Sequence, residues 1–353
     1  MEIISYKIFD GDSDFDWDNY VDAHPEGRYC HLKAYYKTIE RTYSLKTYRI
    51  AFYDINNEVK GIFAGVLIRD FLGKKKIISM PYTDYGGILL TDTFVLPEKI
   101  LIKSFNELLS ITRAVSIKIH GKINWGGEVE KNLFGIIHDC NFAVLTLTPG
   151  EEITKRFDYS IRKNLQRAIE NKLNCYNDIS TGHIKKSFYP MYVNKMKKFG
   201  TPPHSIFFFT SLVEEMKERV KLFTVKNNDS IVSMLLGIST KNIMQISYIV
   251  SEKDLAKIRH DDFIHWKMIE WALENNHKIF DFGVARYEGQ KKYKLKWGVS
   301  LKEYSHFIYP RKSSSNNNEN FLKQSIVNKL WSKIVPQSVS TLIGPRIRKR
   351  LGR

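Results

Sequence analysis

Three stretches of this 353-residue chain hold side chains whose types and spacing suit chemistry. In Pro81-Tyr-Thr-Asp-Tyr-Gly-Gly87, the carboxylate of Asp84 and the phenol of Tyr85 stand beside two glycines that permit a tight backbone. The same residues also read as a plain strand-connecting turn. In Tyr159-Ser-Ile-Arg-Lys-Asn-Leu-Gln-Arg-Ala-Ile-Glu170, the residues Arg162, Lys163 and Arg167 fall near helical spacing, a cationic strip close to a helix start. Such a strip binds an anion or is merely solvated. The third stretch is Phe280-Asp-Phe-Gly283, followed by Arg286, Gly289 and Tyr293-Lys-Leu-Lys-Trp-Gly298. A strand ending in glycine there leads into a basic, aromatic segment, a wall for an anionic ligand. Asp281 equally suits a structural carboxylate bonding nearby backbone. GxxxxGK[ST], GxSxG and HExxH are all missing from the sequence. The Asp-Phe-Gly at Asp281–Gly283 has no Gly-rich loop or HRD to accompany it, so it reads as a strand end and not as a kinase magnesium site.

The elements that must position these residues follow from periodicity and turn chemistry. Helical spacing is expected over His31–Thr42, then strands at Lys46–Tyr53, Val59–Ile68 and Lys75–Met80, with Asn56-Asn57 turning between the first two. A helix over Phe94–Thr112 and strands at Ser116–His120 and Phe142–Thr148 complete the first half. Pro149-Gly150 punctuates the chain, and helices are expected at Glu151–Asn171, His183–Phe199 and Ser205–Lys217. Strands follow at Val220–Lys226, Ser230–Ser239 and Asn242–Val250, turned by Asn227-Asn228, then a helix at Asp261–Asn275 and a strand at Lys278–Phe282. The two halves repeat one order, which predicts a duplicated α/β module. Domains are expected at 1–150 and 151–310. Beyond them, Lys312–Asn320 reads as a polar linker and Phe321–Val335 as a basic amphipathic helix, within a tail over 311–353.

Length and composition agree with two cores of about 150 residues each, since 43% of residues are hydrophobic and 13% aromatic. The three cysteines, Cys30, Cys140 and Cys175, are scattered too widely for a disulfide framework or a zinc pattern, and no metal site is expected. The acidic N-terminus is no signal peptide, and no apolar run reaches the roughly 20 residues of a spanning helix, so a cytoplasmic location is expected. The net charge of +17 is uneven: 311–353 holds ten Lys/Arg against Glu319 alone. That excess favours polyanions, whether a nucleic acid, an anionic membrane face or a phosphorylated substrate.

The three chemical stretches, in this order, resemble the Fem-type peptidyltransferases, over roughly residues 15–310. The most specific match is the pattern Phe280–Gly283, Gly289 and Tyr293–Gly298; the helix Ser160–Ala168 is similar to the family's Arg-rich segment. Tyr29 and His31, with Tyr35, Tyr36, Pro81–Gly87 and the tail residues Leu342–Ile347, look like motifs of the exopolysaccharide-associated branch. Where many relatives have Arg-Ser after the Phe-Asp-Phe-Gly, this chain has Val284-Ala285, with Arg286 one step later. The resemblance implies an α/β fold of two tandem GNAT-like (Gcn5-related acyltransferase) domains. Each would be a mixed, mostly antiparallel sheet flanked by helices. It also implies an enzyme that moves an aminoacyl or acyl group to an amine of a cell-envelope or polysaccharide precursor. Lys294 would stabilise charge, with Asp281 and Tyr293 as orienting groups. Asp84, Tyr85, Arg162, Arg167, Arg286 and His31 would contact substrate. The donor would be a co-substrate, aminoacyl-tRNA or acyl-CoA, and no cofactor would stay bound.

Coenzyme A users of this fold cradle its pyrophosphate on backbone N–H groups at a Gly-rich helix start. The corresponding segment here, Ser251–His260, lies in a stretch with no glycine between Gly237 and Gly283, which tilts the reading toward a tRNA-borne or other large donor. The runner-up is a coenzyme A-dependent N-acyltransferase acting on a nucleotide-linked amino sugar. A reading of another class is a non-catalytic binder of RNA or anionic membrane. The basic tail is expected to meet an anionic surface on the inner face of the membrane, apart from the core.

Overall fold

Two runs rich in β-branched and aromatic residues, each turned by asparagine, fold into antiparallel meanders. The turns work because Asn tolerates the left-handed region, which Asn57 (φ 60°) and Asn228 (φ 51°) both occupy. The structure, a computed structural model, describes residues 3–91, 96–121, 133–311 and 331–352. They divide into two compact units: Met1–Asp139 with Lys197–Phe208 and Tyr304–Arg353, and Cys140–Met196 with Phe209–Glu303. Neither unit is one continuous piece of chain.

In the first unit, strand β1 (Ile3–Phe9) pairs antiparallel with β2 (Lys46–Asp54), β2 with β3 (Val59–Arg69), and β3 with β4 (Lys75–Ile78). The two-residue β5 (Leu89–Leu90) adds to β3. Helix α3 (Glu98–Thr112) then crosses over to β6 (Ile117–His120), which pairs parallel with β4. His306–Tyr309, the end of β13 (Ser300–Tyr309), close the sheet antiparallel to β6. Helices α1 (Trp17–Ala23) and α2 (Lys33–Tyr43) also belong to this unit. Its core holds Ile50, Phe52, Phe63, Ile77, Phe105 and Phe307, all nearly sealed from water.

The second unit repeats that order. Strand β8 (Asn174–Asn177) pairs antiparallel with β9 (Val220–Asn227), then come β10 (Ser230–Ser239) and β11 (Ile243–Ser251). Helix α7 (His260–Glu274) crosses over to β12 (Ile279–Ala285), which is parallel to β11. Strand β7 (Gly135–Thr146) closes the sheet antiparallel to β12. Both units thus run edge strand, meander, parallel crossover, antiparallel closing strand, and the duplicated α/β module expected from the sequence is present. Helices α4 (Tyr159–Glu170), α5 (Tyr189–Lys198) and α6 (Ile206–Met216) carry the chain between β7 and β9.

Local chemistry explains where α4 begins and what it buries. The expected helix from Glu151 instead starts at Tyr159, because the Asp158 carboxylate accepts the Ser160 N–H (2.8 Å) and caps it. Ile161, Leu165 and Ala168 face the core, leaving Arg162, Lys163 and Arg167 exposed. The basic, aromatic segment after β12, to which the sequence reading assigned no element, forms α8 (Glu288–Leu295).

The tail does not stand apart from the core. Gln337–Leu351 forms helix α9, which packs within the first unit: a Cβ on Gly344 would lie 2.5 Å from Pro203 Cδ, and Arg348 donates to the Pro202 carbonyl (2.7 Å). At its end Gly352 (φ 66°) lies so close to Ile78 and Ile68 that a Cβ would overlap both. Small residues let the helix backbone approach closely, which a hydrophobic period cannot reveal. The expected linker Lys312–Asn320, most of the expected helix Phe321–Val335, and the Phe94 start of α3 lie outside the described residues.

Candidate active site

The parallel pairing of β11 with β12 covers only Ile243↔Ile279, Met244↔Phe280 and Gln245↔Asp281. Beyond it β11 stays on β10 (Met234↔Val250, Ser233↔Ser251), while β12 stays on β7 (Val284↔Phe142, Ala285↔Asn141). A wedge therefore opens in the second unit at Asp281.

The Phe-Asp-Phe-Gly stretch builds the β12 side of that wedge. Asp281, fully buried, accepts the Gly283 N–H (2.7 Å), and the register against β7 shifts between Asp281 and Val284. Gly283 takes φ 73°, a conformation that costs an L-residue energy. Backbone carbonyls left without a strand partner need donors. Lys294, on α8, supplies them: its ammonium donates to the carbonyls of Phe282 (2.6 Å), Gly283 (3.0 Å) and Val284 (2.8 Å). An ammonium has three N–H bonds, so all of them are engaged here. On the β11 side, Lys195 donates to the Ile249 carbonyl (2.6 Å).

The neighbouring Tyr293 hydroxyl donates to Asp262 Oδ1 (2.9 Å), and Asn164 of α4 donates to Asp262 Oδ2 (2.8 Å). Burial, reinforced by the Asp262 charge, pushes the Tyr293 phenol well above its ordinary pKa, so it remains a donor at neutral pH. Trp297, fully buried, packs against Phe157 and Phe282, while Gly298 (φ 70°) ends the segment where a Cβ would meet Arg156. Each residue of Tyr293–Gly298 that matched the pattern thus has a positioning role.

Sequence reasoning missed His265. It is buried on α7, stacked on Phe282 (5.6 Å between ring centres) and edge-on to Tyr293 (6.0 Å). Its Nδ1 lies 2.6 Å from the Asp261 carbonyl, which can only accept, so Nδ1 carries the proton. Burial holds the imidazole below its ordinary pKa; the neutral ring therefore keeps its lone pair on Nε2, as a general base requires. The available signal was its place on the crossover helix beside two acids, His260-Asp261-Asp262. Gln245, also missed, stands at the last β11–β12 pair with a buried side-chain oxygen that has no hydrogen-bond partner among the described residues.

The other expected site residues are divided. Asp281, Tyr293 and Lys294 gather at the wedge; Arg162, Arg167 and Arg286 are exposed on the same unit, with one Arg162 nitrogen bonded to the Phe157 carbonyl. Asp84, Tyr85 and His31 belong to the first unit. There His31 is buried and its Nε2 lies 3.3 Å from the Gly87 carbonyl. Burial lowers it to about 3, so the ring is neutral and tethers the 81–87 loop. Tyr35 donates to the Pro81 carbonyl (3.1 Å) of the same loop, and Tyr85 packs under the Arg28 guanidinium (4.8 Å) and against Tyr304 (5.5 Å). Among the described residues no group of three or more His, Cys, Asp or Glu side chains is placed to hold a metal ion. No helix among them is long and apolar enough to cross a membrane.

Residues 159–295, from the start of α4 to the end of α8, match the acetyltransferase (GNAT) domain family. The match takes in β11, β12, His265 and Lys294, and leaves out β7. The second unit carries an N-acyltransferase domain of the GNAT type. No curated protein matches the chain in sequence. Among solved structures, FemX is similar over 88% of this chain and 97% of its own, at 15% identity and a TM-score of 0.66. The C-terminal domain of a protein described as a lysylphosphatidylglycerol synthetase from Agrobacterium fabrum is similar over 84% of this chain and 92% of its own (10% identity, TM-score 0.54). L-PGS from Bacillus licheniformis is similar over 79% and 89% (10% identity, TM-score 0.52). At these identities the likeness is one of fold, and the expected GNAT-like architecture is the one found.

The start of α7, where a GNAT domain would hold an anionic donor, is already occupied by carboxylates. Asp261 and Asp262 stand in its first turn, and Arg259 (φ 65°) enters the helix without a glycine. Carboxylates in a first turn complement the helix dipole.

Proposed function

We propose that the protein is an amide-forming transferase that moves an aminoacyl group from a large donor, aminoacyl-tRNA, to an amine of a cell-envelope or polysaccharide precursor. The exopolysaccharide-associated resemblance and the sequence-assigned site residues enter here as parts of that reading. The observation that carries it is the wedge at Asp281, which joins an opened strand pair, a fixed ammonium and a neutral, oriented imidazole. The α7 start, entered without a glycine, weighs against a pyrophosphate cradle there, hence the choice of donor.

In this reading the acceptor amine attacks the ester carbonyl of the donor. The carbonyl electron pair moves to oxygen, and Lys294 stabilises that oxyanion through its charge. His265 accepts the proton the amine loses, and the tetrahedral intermediate collapses to an amide as the tRNA 3′-terminal oxygen leaves and is protonated. Tyr293 and Asp262 hold α8 to α7, keeping Lys294 in place, while Asp281 shapes the bulge. Arg162, Arg167 and Arg286 offer exposed charge to donor phosphates; on the first unit, Asp84 stands as a candidate substrate contact on a loop that the buried His31 and Tyr85 hold in place. The protein would work in the cytoplasm, on the inner face of the membrane.

One observation favours the coenzyme A-dependent reading: the domain match is to acetyltransferases. A donor screen separates the two. Aminoacyl-tRNA and acyl-CoA are each offered with a panel of envelope amines, and release of free tRNA or CoA is followed. Amine-dependent discharge of tRNA is expected. Release of CoA alone would favour the runner-up, and discharge of neither donor would leave a non-catalytic binder.

A further inference from the structure

We propose that the β3–β4 hairpin tip, together with the end of α3 and the last turns of α9, is a docking surface for an anionic lipid bilayer. At the tip, Phe71 is 58% and Leu72 82% exposed. The turn is rigid: Asp70 Oδ1 accepts the N–H of Leu72 and of Lys74 (3.0 Å each), and its carbonyl accepts the Gly73 N–H (3.1 Å). Its other carboxylate oxygen pairs with Lys76 (2.6 Å), so the one acid in 69–76 is already engaged.

Two further contacts assemble the patch. Lys75 accepts the Val115 N–H on its carbonyl (2.9 Å) and donates its ammonium to the Thr112 carbonyl (3.2 Å), bringing exposed Ile111 (54%) and Val115 (46%) to this end of the sheet. Arg350 of α9 donates to the Asp70 carbonyl (3.3 Å) and lies 5.9 Å over the Phe71 ring. Around these four apolar side chains stand exposed Arg69, Lys74, Arg113, Arg346 and Arg350, and neither 109–116 nor 341–353 contains an acid.

Apolar side chains on a rigid turn, ringed by cations, match the acyl boundary and charged headgroups of a bilayer. A nucleic acid would be met by stacking aromatics, and only Phe71 is one. This inference deepens the membrane-surface part of the reading above and places the contact on a built surface, where α9 contributes only one edge.

The test uses the full chain and no acyl donor, so its failure leaves the transferase reading standing and the converse also holds. Vesicles of phosphatidylglycerol mixed with phosphatidylcholine are expected to sediment the protein, and phosphatidylcholine alone much less. The double variant Phe71→Asp/Leu72→Asp should lose about tenfold or more of that binding with an unchanged circular dichroism spectrum. Ile55→Asp, equally exposed at the other end of β3, should bind as the parent does. In a Leu72→Trp variant, indole emission should shift blue on adding the anionic vesicles. Unshifted emission, binding that survives the double substitution, or retention by a protein partner without vesicle binding would each overturn the proposal.

Discussion

Lys294 is the residue on which sequence and structure bear most differently. From the sequence it is a cation in a matching position; in the structure its three hydrogens are bonded to consecutive carbonyls of the bulge. Lys294→Ala should therefore do two things. It should lower stability by about 1–3 kcal/mol, because those carbonyls lose their donor. It should also lower turnover about a hundred- to thousandfold, with donor KM nearly unchanged, if the charge faces the oxyanion. Lys296→Ala, whose side chain is exposed, should change neither much. Urea midpoints and steady-state rates on both variants decide it; equal activity would move the search to Asp84 and Tyr85. The motif residues were legible because their spacing is distinctive. His265 was not, because one buried histidine on a helix looks like any other until its Nδ1 partner fixes the tautomer.

At the scale of elements, strands with strong β-branched and aromatic content were read within a few residues: β2, β3, β9, β10 and β11 stand nearly where expected. Several of the missed elements share a physical cause. In β1 and β8 most residues are exposed or half-buried, so there is little alternation to read, and α8 has no fully buried residue at all. Helix α9 is the clearest case, since its buried positions, Ser340 and Gly344, are small and carry no hydrophobic period. Its docking depends on closeness, which makes it testable. Gly344→Leu would force a side chain into Pro203, already 2.5 Å from an ideal Cβ, and overpacking of this kind costs about 1–3 kcal/mol. The variant should melt at lower urea and release α9 to trypsin, which cuts after Arg346, Arg348, Lys349 and Arg350. Protection of these sites equal to the parent's would mean that the helix does not dock through Gly344.

At the scale of the molecule, acid sensitivity should be a property of buried histidines. His31, His120, His204, His265 and His277 are all held below their ordinary 6.5, each with burial as the leading cause, and they are spread over both units. The sign follows from linkage. The unfolded chain takes up these protons near pH 6.5 while the folded chain resists them, so the stabilising difference is complete above that pH and lost as pH falls. For His31 the window runs from 6.5 to about 3, and within it one such group contributes roughly 1.4 kcal/mol per pH unit. The carboxylates held low by partners, among them Asp70 beside Lys76 and Asp158 at the α4 cap, are lowered from 3.8, so their loss begins only at about pH 5. Between about pH 6.5 and 5 the histidines therefore lead the loss. Urea midpoints should fall steeply across that interval, and His31→Gln, which keeps a donor for the Gly87 carbonyl but cannot titrate, should flatten the slope by the share of one histidine. A midpoint unchanged from about pH 7 to 4.5 would show that these imidazoles protonate as readily in the folded chain as in the unfolded one, and that their burial does not hold in solution.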